Sequence, residues 1–97
     1  MLVALSPAAL ARCHAYDEVY LFEQPGCLPC RAVKQLLAQH GIWYESRDAR
    51  LPENSWYMQT NAGTTGTPVI TIGNRADGYR HIVGYNEALL RQYLCLY

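Results

Sequence analysis

No surplus of charge of either sign runs through this sequence: eight Lys and Arg offset eight Asp and Glu, for a formal net charge of zero at pH 7. A nucleic-acid groove, an acidic substrate or an anionic membrane surface would each ask for an excess of one sign, so no nucleic acid and no membrane is implied as a partner. Nor is there an apolar run long enough to span a bilayer. Repeats, linkers and low-complexity tracts are missing too, and 97 residues hold one core but no second lobe. Cysteine is sparse, with four in the chain; two stand three positions apart, while Cys13 and Cys95 lie near opposite ends. A close pair in a cysteine-poor chain reads as chemistry rather than as the stapling of a small secreted domain.

What is present suits a globular protein, since 51% of the residues are apolar or aromatic and the charges are interspersed among them. The opening MLVALSPAALARC has the short apolar run of an export signal. It lacks a basic start, is interrupted by Pro7, and carries Arg12 where a small residue should precede cleavage, so a cytoplasmic location is expected.

Ser6 as an N-cap with Pro7 at the first helical position predicts a short helix within an N-terminal extension, residues 1–17. A domain over residues 18–97 follows. EVYLF is a strand bounded by Pro25 and Gly26; from Cys27, Val33, Leu36, Leu37 and His40 recur at helical spacing until Gly41 supplies a stop. IWYES is a second strand by propensity, and Pro52 and Glu53 open a helix running toward Gly63. VITI and RHIVG flank the turn-rich GNRADG, and Asn86 caps a last helix with Leu89, Leu90, Tyr93 and Leu94 on one side. The order αβαβαββα gives an α/β fold, a mixed sheet covered by helices on both faces.

The pair Cys27 and Cys30 falls on the first turn of the helix that begins in PGCLPC. The thiolate is the nucleophile in disulfide exchange, and a free thiol with a pKa of about 8.5 is mostly protonated at neutral pH. Exposed N–H groups of a first helical turn act as about half a positive charge and favour an anion at Cys27. Arg31 at i+4 and Lys34 at i+7 are candidate thiolate-stabilising cations. Cys30, one turn further in, is placed to reach the Cys27 sulfur as the resolving thiol. Pro29 restricts the turn without blocking the helix start. The competing use of CxxC is a zinc half-site, which needs two further ligands at short spacing; Cys13, His14 and His40 form no second knuckle, so no metal is expected. Cys13 and Cys95 read as small buried hydrophobes, and His14, His40 and His81 carry no separate signal.

A strand, PGCLPC, a helix and then GTPVITI together resemble the thioredoxin-fold family and, within it, the glutaredoxin-like branch, over residues 18–96. The resemblance implies a four-stranded mixed sheet and a thiol–disulfide oxidoreductase that binds no cofactor beyond its redox-active Cys27–Cys30 disulfide. It also implies a cis Pro68 beside Cys27 and a Thr67 backbone that pairs an extended substrate segment as an added strand. Leu28, Pro29, Gly84 and Tyr85 complete the implied substrate-binding surface. Glutathione-using glutaredoxins usually carry a basic residue where this chain has Gln24, and a doubled glycine where it reads IVGYNEAL. The NrdH-redoxins look closer, through Cys27, Cys30 and Lys34 as CxxCxxxK, Asp48 after the second strand, the Pro52–Glu53 helix start, and the Gly84–Tyr85 turn. Those proteins draw electrons from thioredoxin reductase and NADPH and pass them to ribonucleotide reductase. This chain has TTGT and GYNE where they usually have an arginine-containing segment and Gly-Phe-x-Pro, which leaves the acceptor open. Two alternatives fit the same residues: a glutathione-dependent glutaredoxin, and a non-catalytic domain that uses the pair for a metal or a partner.

Overall fold

A computed structural model describes residues 16–96. The helix expected near Ser6 and Pro7 lies outside the described residues, as do Cys13 and His14. The described elements are β1 (Glu18–Glu23), α1 (Leu28–Gln39), β2 (Glu45–Asp48), α2 (Pro52–Ala62), β3 (Val69–Asn74), β4 (Gly78–Val83) and α3 (Glu87–Tyr93). They form one four-stranded sheet in the order β2-β1-β3-β4, with β1 and β2 parallel and the other two pairings antiparallel.

Alternation along β1 divides the molecule into layers. Val19 and Leu21 enter the larger core with Val33, Leu36 and Leu37 of α1, Ile70 and Ile72 of β3, Ile82 of β4, and Leu90 of α3 with Leu94 just beyond it. Phe22 faces the other way, toward Val69, Ala49 and Met58 of α2. Helices α1 and α3 therefore cover one face of the sheet and α2 the other. Strand β3 is central and is buried from Val69 to Gly73, which is why VITI has a short buried-strand pattern rather than a strict apolar–polar alternation. Each fully buried Leu or Ile here contributes about 1.5–3 kcal/mol of transfer free energy, so α1 is anchored firmly beneath the cysteines it carries.

The helix boundaries follow the local signals. Asn86 Oδ1 accepts the Leu89 amide at 3.1 Å, and Gly63 ends α2 in a left-handed conformation. The second strand is shifted from expectation: of IWYES only Glu45 and Ser46 pair, and the ladder to β1 runs on from Tyr20↔Glu45 to Glu23↔Asp48. The Ile42 amide donates to the Leu37 carbonyl at 2.9 Å, which ties that residue to the end of α1 rather than to the sheet. Ile42 and Tyr44 still pack half-buried against the core while Trp43 is exposed, so the β propensity of this stretch serves packing and not pairing.

Cys95 also departs from its reading as a small buried hydrophobe. It is half-buried, has a φ of 61°, and is disulfide-bonded; no described cysteine is a free thiol. No other cysteine lies near it in sequence, so local spacing gives no sign of the bond.

Candidate active site

The Pro25–Gly26 turn carries the chain from the end of β1 into α1, and Gly26, at φ 79°, takes a conformation open to few other residues. Cys27 is the N-cap of α1. Its Sγ accepts the Cys30 amide hydrogen at 3.1 Å, and it is disulfide-bonded to Cys30. Pro29 lies within the first turn and has no N–H, so the Cys30 donor is the one turned back onto the sulfur. No acidic side chain stands in that turn to compete for it. The two sulfurs differ in access: Cys27 is half-exposed, while Cys30 is 2% exposed and packed beneath the helix.

A cleft of about 440 Å³ opens beside the pair, lined by both cysteines, Arg31 and Lys34 on one side and by Glu23, Ser46 and Asp48 on the other. Its far wall follows from strand alternation. Glu23 continues the Val19–Leu21 face of β1, and the parallel register sets Ser46 beside Leu21 and Asp48 beside Glu23, all beneath α1. Glu23 uses both carboxylate oxygens, one in an ion pair with the Lys34 ammonium and the other accepting the Ser46 hydroxyl at 2.5 Å. Asp48 is held by the Arg50 guanidinium through bonds of 3.0 and 2.9 Å, and by the Arg50 amide at 2.9 Å. These bonds draw its carboxyl down to about 2.

Cys27, Cys30, Arg31 and Lys34 thus share one cleft, with Leu28 and Pro29 exposed on the helix start beside it. Thr67, Pro68, Gly84 and Tyr85 do not line that cleft. They form a second group, in which the Thr67–Pro68 peptide is cis, Pro68 is buried, and its carbonyl accepts the Gly84 amide at 2.9 Å. Tyr85 follows, 42% exposed. Lys34, counted from its helical position toward Cys27, is ion-paired with Glu23. Glu23 and Ser46 are the cleft residues that the sequence reading passed over. Continued alternation past Phe22 was the available signal for Glu23, whereas nothing local distinguishes Ser46. Among the described residues no group of three or more His, Cys, Asp or Glu side chains is placed to hold a metal ion, and no helix is long and apolar enough to cross a membrane.

Residues 19–76 match the family model for glutaredoxin. The chain is 31% identical over 71 residues to the Gene 56 protein of Mycobacterium phage D29, an alignment covering 72% of this chain and 74% of that protein. Among solved structures, a thioredoxin-like protein superposes with a TM-score of 0.71 at 24% identity, over 84% of this chain and 99% of its own. The glutaredoxin of Archaeoglobus fulgidus does so with a TM-score of 0.64 at 18% identity, over 94% of this chain and 96% of its own. The architecture is accordingly thioredoxin-like. On the strength of the family match the chain belongs to the glutaredoxin family, and thiol–disulfide oxidoreduction is the chemistry its Cys27–Cys30 pair is built to perform.

Proposed function

We propose that the protein is a dithiol reductant of protein disulfides of the NrdH-redoxin kind, working in the cytoplasm, with Cys27 as nucleophile and Cys30 as resolving thiol. One observation carries the assignment: the half-exposed Cys27 sulfur caps a helix and accepts an amide hydrogen, while its partner sulfur is buried. In the reduced protein that setting favours the thiolate at the sulfur an incoming disulfide meets first. The Cys27 thiolate attacks one sulfur of the target; the target's other sulfur leaves as a thiolate and takes up a proton. Cys30, having lost its own proton to solvent, then attacks Cys27 Sγ. The mixed disulfide breaks, and the second target sulfur leaves and is protonated. The target gains two electrons and two protons, and the Cys27–Cys30 disulfide is left behind.

Leu28 and Pro29 supply an apolar rim for a protein substrate, and the Thr67 backbone and Tyr85 are the further contacts proposed for an extended segment. The proposed donor is thioredoxin reductase with NADPH rather than glutathione. Gln24 brings no charge to the cleft, Glu23 occupies Lys34, and Asp48 adds an anion, so among the described cleft residues Arg31 is the cation without an ion pair. A tripeptide with two carboxylates gains little there.

The test uses cysteine variants challenged with an oxidised protein substrate. Cys30→Ser is expected to accumulate a mixed disulfide on Cys27, identified by mass spectrometry of the peptides, and Cys27→Ser to lose activity. Absence of the Cys27 adduct would overturn the assignment of roles.

A further inference from the structure

We propose that Glu23 acts as an electrostatic clamp on the redox pair, holding the Lys34 ammonium away from the Cys27 sulfur and so setting how readily the reduced protein presents a nucleophile. The inference rests on the reading of Cys27 as that nucleophile.

The geometry behind it lies within the cleft. Glu23 ends the strand that leads into the Pro25–Gly26 turn, and alternation turns its side chain under α1. That side chain is 15% exposed, against 41% for Lys34, so its charge is only partly screened by water. One oxygen holds Lys34, and the Ser46 hydroxyl fixes the other from β2, which leaves the carboxylate little freedom to release the ammonium. Lys34 stands two turns beyond Cys27 on the same helix, and side chains on a helix lean toward its N-terminus. Released from Glu23, the flexible Lys34 chain is therefore directed toward the sulfur. The other charges lining the cleft are Arg31 on α1, exposed at the surface, and Asp48 on β2, tied to Arg50; neither pairs with Glu23 or Lys34. Replacing Glu23 thus removes one negative charge from the cleft that Cys27 lines and frees one positive charge to approach the sulfur. The first effect needs only Glu23, but the second also requires Lys34.

That difference supplies the test. In Cys30→Ser protein, the thiolate of Cys27 is titrated by its ultraviolet absorbance and, independently, by its rate of alkylation against pH. Four forms are compared: the parent, Glu23→Gln, Lys34→Met, and the double variant, with thermal melts confirming that each is folded over the titrated range. Glu23→Gln is expected to lower the titration midpoint by roughly half to one pH unit, a shift of the size one nearby unit charge produces. In the Lys34→Met background the same substitution should move the midpoint by less than half as much. In protein retaining both cysteines, Glu23→Gln should shift the equilibrium with a thiol buffer toward the dithiol, by about threefold for half a unit. An unchanged or raised midpoint overturns the clamp. So does an equal shift with and without Lys34, because Glu23 would then act on the sulfur directly. A parent midpoint at or above that of a free cysteine overturns the nucleophile assignment and the clamp together, whereas a depressed midpoint indifferent to Glu23 removes the clamp alone.

Discussion

Leu28 is the large apolar side chain next to Cys27, and 70% of its surface is open to water at the start of α1. Its contribution to folding is small for that reason, and Leu28→Ser, an exposed change at a helix start, is expected to alter stability by no more than about 0.5 kcal/mol. Its contribution to recognition should be larger. Burying a leucine completely is worth about 1.5–3 kcal/mol, so closing a partner over the exposed part of this one is worth roughly 1–2 kcal/mol. In the ratio kcat/KM that corresponds to about five- to thirtyfold. The assay is steady-state reduction of a disulfide-bearing protein alongside a small dialkyl disulfide, with a thermal melt on the same samples. The protein substrate should lose activity by that factor, mostly through KM. The small disulfide, which meets the sulfur and little else, should change by less than about twofold, since the nucleophile is untouched. Equal losses on both substrates would mean that Leu28 supports the thiol itself. No loss on the protein substrate would mean that targets approach from another side, and either result refutes the docking argument.

Two further outcomes can be checked directly. Coupled NADPH oxidation at matched thiol supply should run faster with thioredoxin reductase than with glutathione and its reductase, and the reverse preference would return the protein to the glutathione-dependent glutaredoxins. Burial holds His81 below its ordinary 6.5, with Nδ1 2.9 Å from the buried Thr71 hydroxyl and the ring edge-on to Tyr57. The unfolded chain therefore takes up that proton first; the stabilisation is complete above about pH 6.5 and is lost as pH falls through the lower folded value. Denaturation midpoints should fall between pH 7 and pH 5, and His81→Gln should flatten that slope; a slope unaffected by the substitution would place its origin elsewhere.

The parts of the fold that could be read from sequence are those governed by neighbours along the chain. Asn86 caps α3 through an amide three residues away, and the apolar face of α1 was visible at Val33, Leu36 and Leu37 because helical periodicity is local. The bounds of strand β2 are displaced by the same logic. Ile42, Trp43 and Tyr44 have the composition of a strand, yet the polar ESRD is what pairs with β1, because its register depends on where α1 ends and on an amide of Ile42 already committed to Leu37. The joining of Pro68 to Gly84 by one hydrogen bond likewise spans a hairpin that no spacing rule sets in advance.

The active site divides along the same line, and the division bears on its chemistry. The positions of Cys27 and Cys30 were legible because a helix N-terminus and a CxxC spacing are both local features. On a helical projection Lys34 and Arg31 look equivalent, as two cations following a thiolate. Tertiary structure separates them. Strand alternation brings Glu23 beneath α1, where it meets Lys34 and not Arg31, and the parallel register adds Ser46 from β2 to hold the carboxylate in place. A cation counted toward the thiolate from sequence is thereby balanced by an anion from a different element. The Cys30 amide and the helix start bear on the Cys27 sulfur directly, with Arg31 as the cation without an ion pair among the described cleft residues. A sulfur activated by backbone more than by side-chain charge would retain that activation when a protein partner covers the cleft and excludes counterions, as the proposed reduction of protein disulfides requires.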